Sequence, residues 1–319
     1  MSRRTDHRQD ELDIRIRAAE ADGYAVHGVT GTERMVELES GLGPVRTRLT
    51  EFGTADERPP VVLLHGIASA TVLAAPLLPY LRDRRVIAVD WPGHGLSDAC
   101  VLPPGVDLRA HCTAVLDSLL DDIGAPTADI VGHSMGAQFA LYGAAELGNR
   151  IGRLVLLGAP GAAFDGVKPI PVMWLLAMPK AGPLFLSMPM SERAFERSND
   201  LTLGRDALRD VSAELVLALR LIGGRARNAA SIASFFRALV KRSSVRPHVM
   251  VPTDVLARLR RPIQFVWGDD DVFLKPLAAA QSIVAVREVS LLRLPGAGHA
   301  PWLQAPERTG RAMADHLLV

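Results

Sequence analysis

Cysteine is almost absent from this chain: Cys100 and Cys112 are the only two among 319 residues. Two thiols are too few for a disulfide framework, and neither stands at ligand spacing from a histidine pair. Neither a disulfide-built scaffold nor a metal site is therefore expected, and a reducing compartment is the default. Runs of one charge are missing as well. Lys and Arg number 36 against 35 Asp and Glu, a formal net charge of +1, which asks for neither nucleic acid nor an anionic membrane as partner. The densest cationic stretch, Arg225 to Arg246, is interrupted by Ile232, Phe235, Phe236 and Leu239, the mix of an amphipathic helix with a solvated basic face. No apolar run is long enough to span a bilayer unbroken. The greasiest segment, Ile170 to Met190, contains Pro171, Pro179, Lys180, Pro183 and Pro189, so stable membrane insertion is not expected, although such a segment could lie on a membrane surface. The basic start, Met1 to Arg8, leads into Gln9–Asp13 without an apolar stretch, which argues against a secretory signal and for a cytoplasmic location.

The composition itself, 48% hydrophobic and 22% charged, is that of an ordinary globular protein. From Val61 onward, short aliphatic runs alternate with helical patterns. The runs are 61–64, 86–89, 129–131, 154–157, 263–266 and 289–292. They read as buried parallel strands, and the segments 71–81, 107–123, 135–147, 276–286 and 306–318 read as helices between and after them. The economical architecture is α/β, a doubly wound, mostly parallel sheet. Ahead of it, 35–39 and 45–52 flank Gly41-Leu42-Gly43-Pro44, which predicts an antiparallel hairpin opening the sheet. Residues 1–30 read as a helix and a loop. The βα rhythm breaks after Pro160 and resumes at Arg261, so 161–260 is expected to be an inserted helical cap, with 31–160 and 261–319 as the core. No strand is expected in the insertion. It carries Met173, Met178, Met188, Met190 and Met250, which suit either core filling or an irregular apolar pocket.

Three loops carry chemistry. Gly132-His133-Ser134-Met135-Gly136 follows a strand and precedes a helix, which presents a serine on a sharp turn at the positive end of the helix. A serine hydroxyl needs a base to take its proton. Among nine histidines the most suggestive is His299, held between Gly298 and Pro301 in a loop after the last strand. The base needs a carboxylate to fix its tautomer, and Gly268-Asp269-Asp270-Asp271 offers three.

The chain order serine, aspartate, histidine resembles the α/β-hydrolase superfamily, in its capped serine esterase and C–C hydrolase branch. The resemblance runs from about Thr47 to the C-terminus in strand and loop order. It implies Ser134 as nucleophile, His299 as general base and Asp271 as the orienting acid, because the family's acid commonly stands three residues after the glycine that ends this strand. Asp270 is the alternative and Asp165 a distant third. It also implies an oxyanion hole from the N–H groups of Met135 and of Ile67, the latter in a loop, His65-Gly66-Ile67, similar to the family's HG-x loop. His65 and His133 are read as structural. Asp90-Trp91-Pro92-Gly93-His94-Gly95-Leu96-Ser97 is similar to the family's D-x-x-G-x-G-x-S loop and is read as architectural.

Serine in place of aspartate at the elbow favours acyl chemistry over halide or epoxide opening. The expected activity is hydrolysis of an apolar carboxylic ester through an acyl-enzyme. Hydrolytic C–C cleavage of a diketone-like substrate and cofactor-free perhydrolysis are the enzymatic alternatives, and a non-catalytic ligand-binding protein on the same fold is the alternative from another class. The expected partner is a small-molecule ester or ketone. No metal or organic cofactor is implied.

Overall fold

A computed structural model describes residues 3–54 and 56–318; residues 1, 2, 55 and 319 of the segments delimited above lie outside it. The chain runs through α1 (Arg3–Val26), β1 (Thr32–Glu39), β2 (Pro44–Phe52), β3 (Val61–Leu64), a 3-10 helix (Thr71–Leu81), β4 (Val86–Asp90), α2 (Leu108–Asp122), β5 (Ala128–His133), α3 (Met135–Glu146) and β6 (Ile151–Leu157). It continues through α4 (Pro171–Leu176), α5 (Ala181–Leu186), α6 (Glu192–Thr202), α7 (Ala213–Gly223), α8 (Ala229–Leu239), β7 (Val240–Lys241), β8 (Ser244–Val245) and α9 (Thr253–Arg258). It ends with β9 (Ile263–Gly268), α10 (Ala280–Ala285), β10 (Val289–Leu294), α11 (Pro301–Gln304) and α12 (Pro306–Leu318).

Eight strands form one sheet in the order β1-β2-β4-β3-β5-β6-β9-β10. The hairpin β1–β2 and the pair β2–β4 are antiparallel, and every later pair is parallel. The α/β fold class therefore holds. From β3 the chain steps to β4 on one side and then crosses to β5 on the other. The winding direction reverses there, the point at which a doubly wound sheet places its ligand crevice. β3, β4 and β5 are buried along their whole length, which is why they read as continuous aliphatic runs without alternation. Each sheet face has its own core. Phe139, Phe265 and Trp267 lie on one, with α2 and α3. Ile16, Leu77, Trp302 and Met313 lie on the other, with α1, α12 and the 3-10 helix.

Four expectations need correction. Segment 71–81 is a 3-10 helix, because Pro76 and Pro79 remove two N–H donors that an α-helix would use. Helix 276–286 shrinks to Ala280–Ala285, since Ala278 and Ala279 both donate to the Lys275 carbonyl and close a turn first. The interval 161–260 contains a small antiparallel pair, β7–β8. Two residues per strand are too few for periodicity to register. The stretch 225–246 is not one helix with a solvated basic face: α8, spanning 229–239, buries Phe235, Phe236 and Leu239 as an amphipathic helix should, but Arg225, ahead of it, is itself buried.

α1 packs one face into the core. Asp13, Ile16, Glu20 and Tyr24 recur at helical spacing and are all buried, a stripe in which two acids share a face with apolar residues. Each acid meets a buried arginine. Asp13 pairs with Arg225 at 2.7 Å, and Glu20 with Arg48 at 2.6 Å. Arg48 also receives Glu33 at 3.1 Å and Asp90 at 3.2 Å. Three carboxylates thus share one guanidinium. Burial, with repulsion from Asp90 and Glu33, pushes the Glu20 carboxyl up to about 7 despite the attraction of Arg48. A group whose folded pKa is raised contributes stability that is complete below its unfolded value and lost as pH rises through the folded one. Unfolding midpoints are accordingly expected to fall as pH rises from about 4.5 to about 7 and to level off above that, with Glu20→Gln flattening the fall. Thermal melts of both proteins across that range check it, and parallel curves would count against the shared guanidinium.

Candidate active site

Ser134 sits between β5 and α3 with φ 52° and ψ −113°, a left-handed conformation that costs a non-glycine residue about 1–3 kcal/mol and clusters at functional sites. The glycines of the motif make the turn sterically feasible. A Cβ on Gly136 would stand 2.3 Å from the Leu64 carbonyl oxygen, and one on Gly132 would stand 2.6 Å from that of Gly136. Ala68, in the loop after β3, also has a positive φ, 55°, and both strained residues line one cavity of about 270 Å³.

His299 lines the same cavity. Its Nδ1–H donates to Asp271 Oδ2 at 2.8 Å, and the two residues are only 4% and 1% exposed. The same oxygen accepts the Ala159 N–H at 2.9 Å, while Oδ1 accepts the Phe273 N–H at 3.0 Å. Burial alone would push the Asp271 carboxyl up; the His299 ring and these N–H donors more than offset it and hold it below the usual carboxylate range. The competing acids lie elsewhere. Asp269 pairs with Arg293 at 2.7 Å, Asp270 has a side chain 65% exposed and 4.0 Å from Lys275, and Asp165 is exposed.

Two further histidines brace the loops. His65 Nε2 accepts the Trp91 N–H at 3.0 Å, which leaves the proton on Nδ1 to be donated to the Gly66 carbonyl at 2.7 Å. His133 Nε2 donates to the His299 carbonyl at 3.2 Å, and its ring packs 4.8 Å from that of His299 and 4.7 Å from Trp302. Burial, and then the His299 charge, hold His133 well below the usual histidine range, so it works as a neutral strut. The loop after β3 approaches closely, since a Cβ on Gly66 would lie 3.3 Å from Ser134 Cβ. Neither the Ile67 nor the Met135 N–H has an acceptor among the described residues. Asp90 accepts from the Thr71 N–H at 3.1 Å and the Leu96 N–H at 2.9 Å, which gives its loop the architectural role expected of it.

A profile of the Alpha/beta hydrolase family matches residues 61–312. The chain belongs to this family. A pimeloyl-acyl-carrier-protein methyl ester esterase from Aromatoleum aromaticum is 30% identical over 269 residues, which are 78% of this chain and 94% of that protein. A 2-hydroxy-6-oxo-2,4-heptadienoate hydrolase from Pseudomonas putida is 34% identical over 142 residues, 41% of this chain and 48% of that protein. A carboxylesterase from Bacillus subtilis shares the fold at 18% identity, with a TM-score of 0.72 over 97% of this chain and 99% of that one.

The rest of the cavity of this hydrolase comes from helices between β6 and β9. Met173 and Met190 contribute to its wall with Phe185, Phe195, Ile232 and Phe236. Met178 and Met188 are exposed and do not line it, Met190 is itself half exposed, and Trp174 and Leu184 are exposed as well, so an apolar face of α4 and α5 stands in solvent next to the cavity. No helix among the described residues is long and apolar enough to cross a membrane. The cavity wall also holds residues that sequence reasoning missed. Phe273 presents an edge to the His299 ring at 4.5 Å. Arg225 and Asn228 line the same space, and Arg225 reaches Asp13 of α1. The signal that could have found this pair is the stripe Asp13, Ile16, Glu20, Tyr24, in which acids recur on the apolar side of a helix.

Proposed function

We propose that this chain is a serine hydrolase that cleaves an uncharged carboxylic ester with an apolar acyl or alcohol part, by way of an acyl-enzyme. The observation that carries the reading is the buried pair of His299 and Asp271 at 2.8 Å, on the same apolar cavity as the strained Ser134. In this reading Ser134 Oγ attacks the ester carbonyl while His299 Nε2 takes its proton. Asp271 keeps the other ring proton on Nδ1 and stabilises the imidazolium that forms. The Ile67 and Met135 N–H groups receive the developing oxyanion, where loss of one donor costs about a hundredfold or more in rate. His299 then protonates the departing alcohol, and water repeats the sequence on the acyl-enzyme. Residues 161–260 act as the cap, 31–160 and 261–319 as the catalytic core, and 1–30 as an N-terminal extension. The two cysteines, free and buried, suit a reducing cytoplasm.

C–C cleavage is the competing chemistry on the same residues. The substrate named for the Pseudomonas putida relative is a carboxylate, whereas the only charged side chain lining this cavity among the described residues is Arg225, already paired with Asp13. The esterase relative acts on a methyl ester by its name, which suits a neutral cavity better. The reading is tested by intact-mass labelling with a fluorophosphonate, followed by p-nitrophenyl esters of increasing chain length. A single adduct and kcat/KM rising with acyl length until the cavity is full are expected. A folded protein that takes no label would move the assignment to ligand binding.

A further inference from the structure

Arg225 lies in the wall of the apolar cavity with its side chain only 4% exposed. A bare guanidinium in such a wall would attract an anion strongly, because little water is present to screen it. Here its donors are committed. Nε–H donates to Asp13 Oδ1 at 2.7 Å and Nη2–H to Asp13 Oδ2 at 3.0 Å, the parallel two-bond geometry that a carboxylate ligand would use. Nη1 donates to the Ser97 carbonyl at 3.1 Å and to Asn228 Oδ1 at 2.9 Å. Asn228 in turn donates to the Gly95 carbonyl at 2.8 Å. Asp13 belongs to α1, outside the matched stretch 61–312, and does not itself line the cavity.

We infer that Asp13 sets the charge selectivity of this hydrolase: by occupying Arg225 it makes the cavity neutral, so that uncharged acyl groups are accepted and carboxylate-bearing ones refused. The inference rests on the esterase reading above. A substrate carboxylate in the present cavity loses its hydration and gains no cation, because displacing Asp13 would break its two-bond pair with Arg225 and leave it only the longer contact to Arg227 at 3.6 Å. With Asp13 removed, the guanidinium becomes an uncompensated positive charge at the wall, and its Nε–Nη2 edge is free to turn toward a ligand. The same cavity would then bind an anion at little cost in volume.

The experiment compares two esters of similar length, p-nitrophenyl hexanoate and the mono-p-nitrophenyl ester of adipic acid, with wild type, Asp13→Asn, Arg225→Met and the double variant. Wild type is expected to prefer the neutral ester. In Asp13→Asn the preference should shift toward the adipate ester by about tenfold or more, through KM rather than kcat, as expected for a new charge-assisted contact. The shift should vanish in the double variant, since the cation of the cavity wall is gone; Arg227, 3.6 Å from Asp13, does not line the cavity. A preference that stays within about twofold of wild type in Asp13→Asn, or a shift that survives loss of Arg225, overturns the inference. Circular dichroism and fluorophosphonate labelling accompany each variant. Should Asp13→Asn not fold, Asp13→Ser is held to the same shift. Labelling and hexanoate turnover by wild type report on the esterase reading separately, so failure of the selectivity switch is distinguishable from failure of the chemistry.

Discussion

Ser134→Ala is expected to abolish fluorophosphonate labelling and to lower kcat for p-nitrophenyl esters by about 10⁴ to 10⁶, leaving the fold intact. Alanine removes only the hydroxyl. The left-handed backbone remains strained, and the His299–Asp271 pair, the Ser134 N–H donated to the Leu157 carbonyl at 3.3 Å, and the cavity wall are untouched. In the proposed mechanism, whatever slow turnover survives belongs to the Ile67 and Met135 N–H groups and the cavity. Stopped assays at high enzyme concentration, with mass spectrometry to exclude wild-type carry-over, measure the loss. Turnover within about tenfold of wild type would show that another nucleophile does the work.

Asp271→Asn has the second largest expected effect, about 10³ to 10⁴ in kcat, and the surrounding hydrogen bonds say why. Oδ2 accepts both the His299 Nδ1–H and the Ala159 N–H, and Oδ1 accepts the Phe273 N–H. An asparagine NH₂ at the Oδ2 position would face the Ala159 donor and drive the ring proton to Nε2, where it blocks proton uptake from Ser134. Turned the other way, it would face the Phe273 donor, and the imidazolium would still lack its counter-charge. Either orientation leaves a buried donor unpaired, a further cost of about 1–3 kcal/mol in stability. The pH dependence follows from the depressed Asp271 carboxyl. A lowered folded pKa contributes stability present above the unfolded value and lost as pH falls through the folded one. That acid-side loss should be smaller in Asp271→Asn. Asp270→Asn is the internal control, expected within about twofold of wild type because an exposed ion pair contributes little. Steady-state kinetics and unfolding curves of both variants decide the matter, and a larger loss at Asp270 would reverse the assignment.

The two substitutions mark where sequence reasoning was strong and where it thinned. The elbow could be read locally, because a serine flanked by glycines between an aliphatic run and a helix has few other conformations available. The histidine loop stood out for the same reason, with glycine and proline on either side. The acid could not be separated from its neighbours by residue type. Three consecutive aspartates differ only in which way the turn after β9 aims them, and one residue of turn sends Asp270 to solvent and Asp271 to His299. The methionines of the insertion show the same limit. Met173 and the half-exposed Met190 border the cavity while Met178 and Met188 do not, a difference set by the packing of short helices.

Strand runs, turn residues and the order of the three loops determined the α/β class, the opening hairpin, the elbow and the candidate base, because each is written in contiguous residues whose backbone preferences are local. Only the tertiary structure decided which aspartate meets His299, where the cavity lies and that an acid of α1 neutralises Arg225 some two hundred positions away. Those outcomes depend on burial. A charge removed from water must find its partner wherever the fold brings one within reach, and that distance is not a property of the sequence on either side.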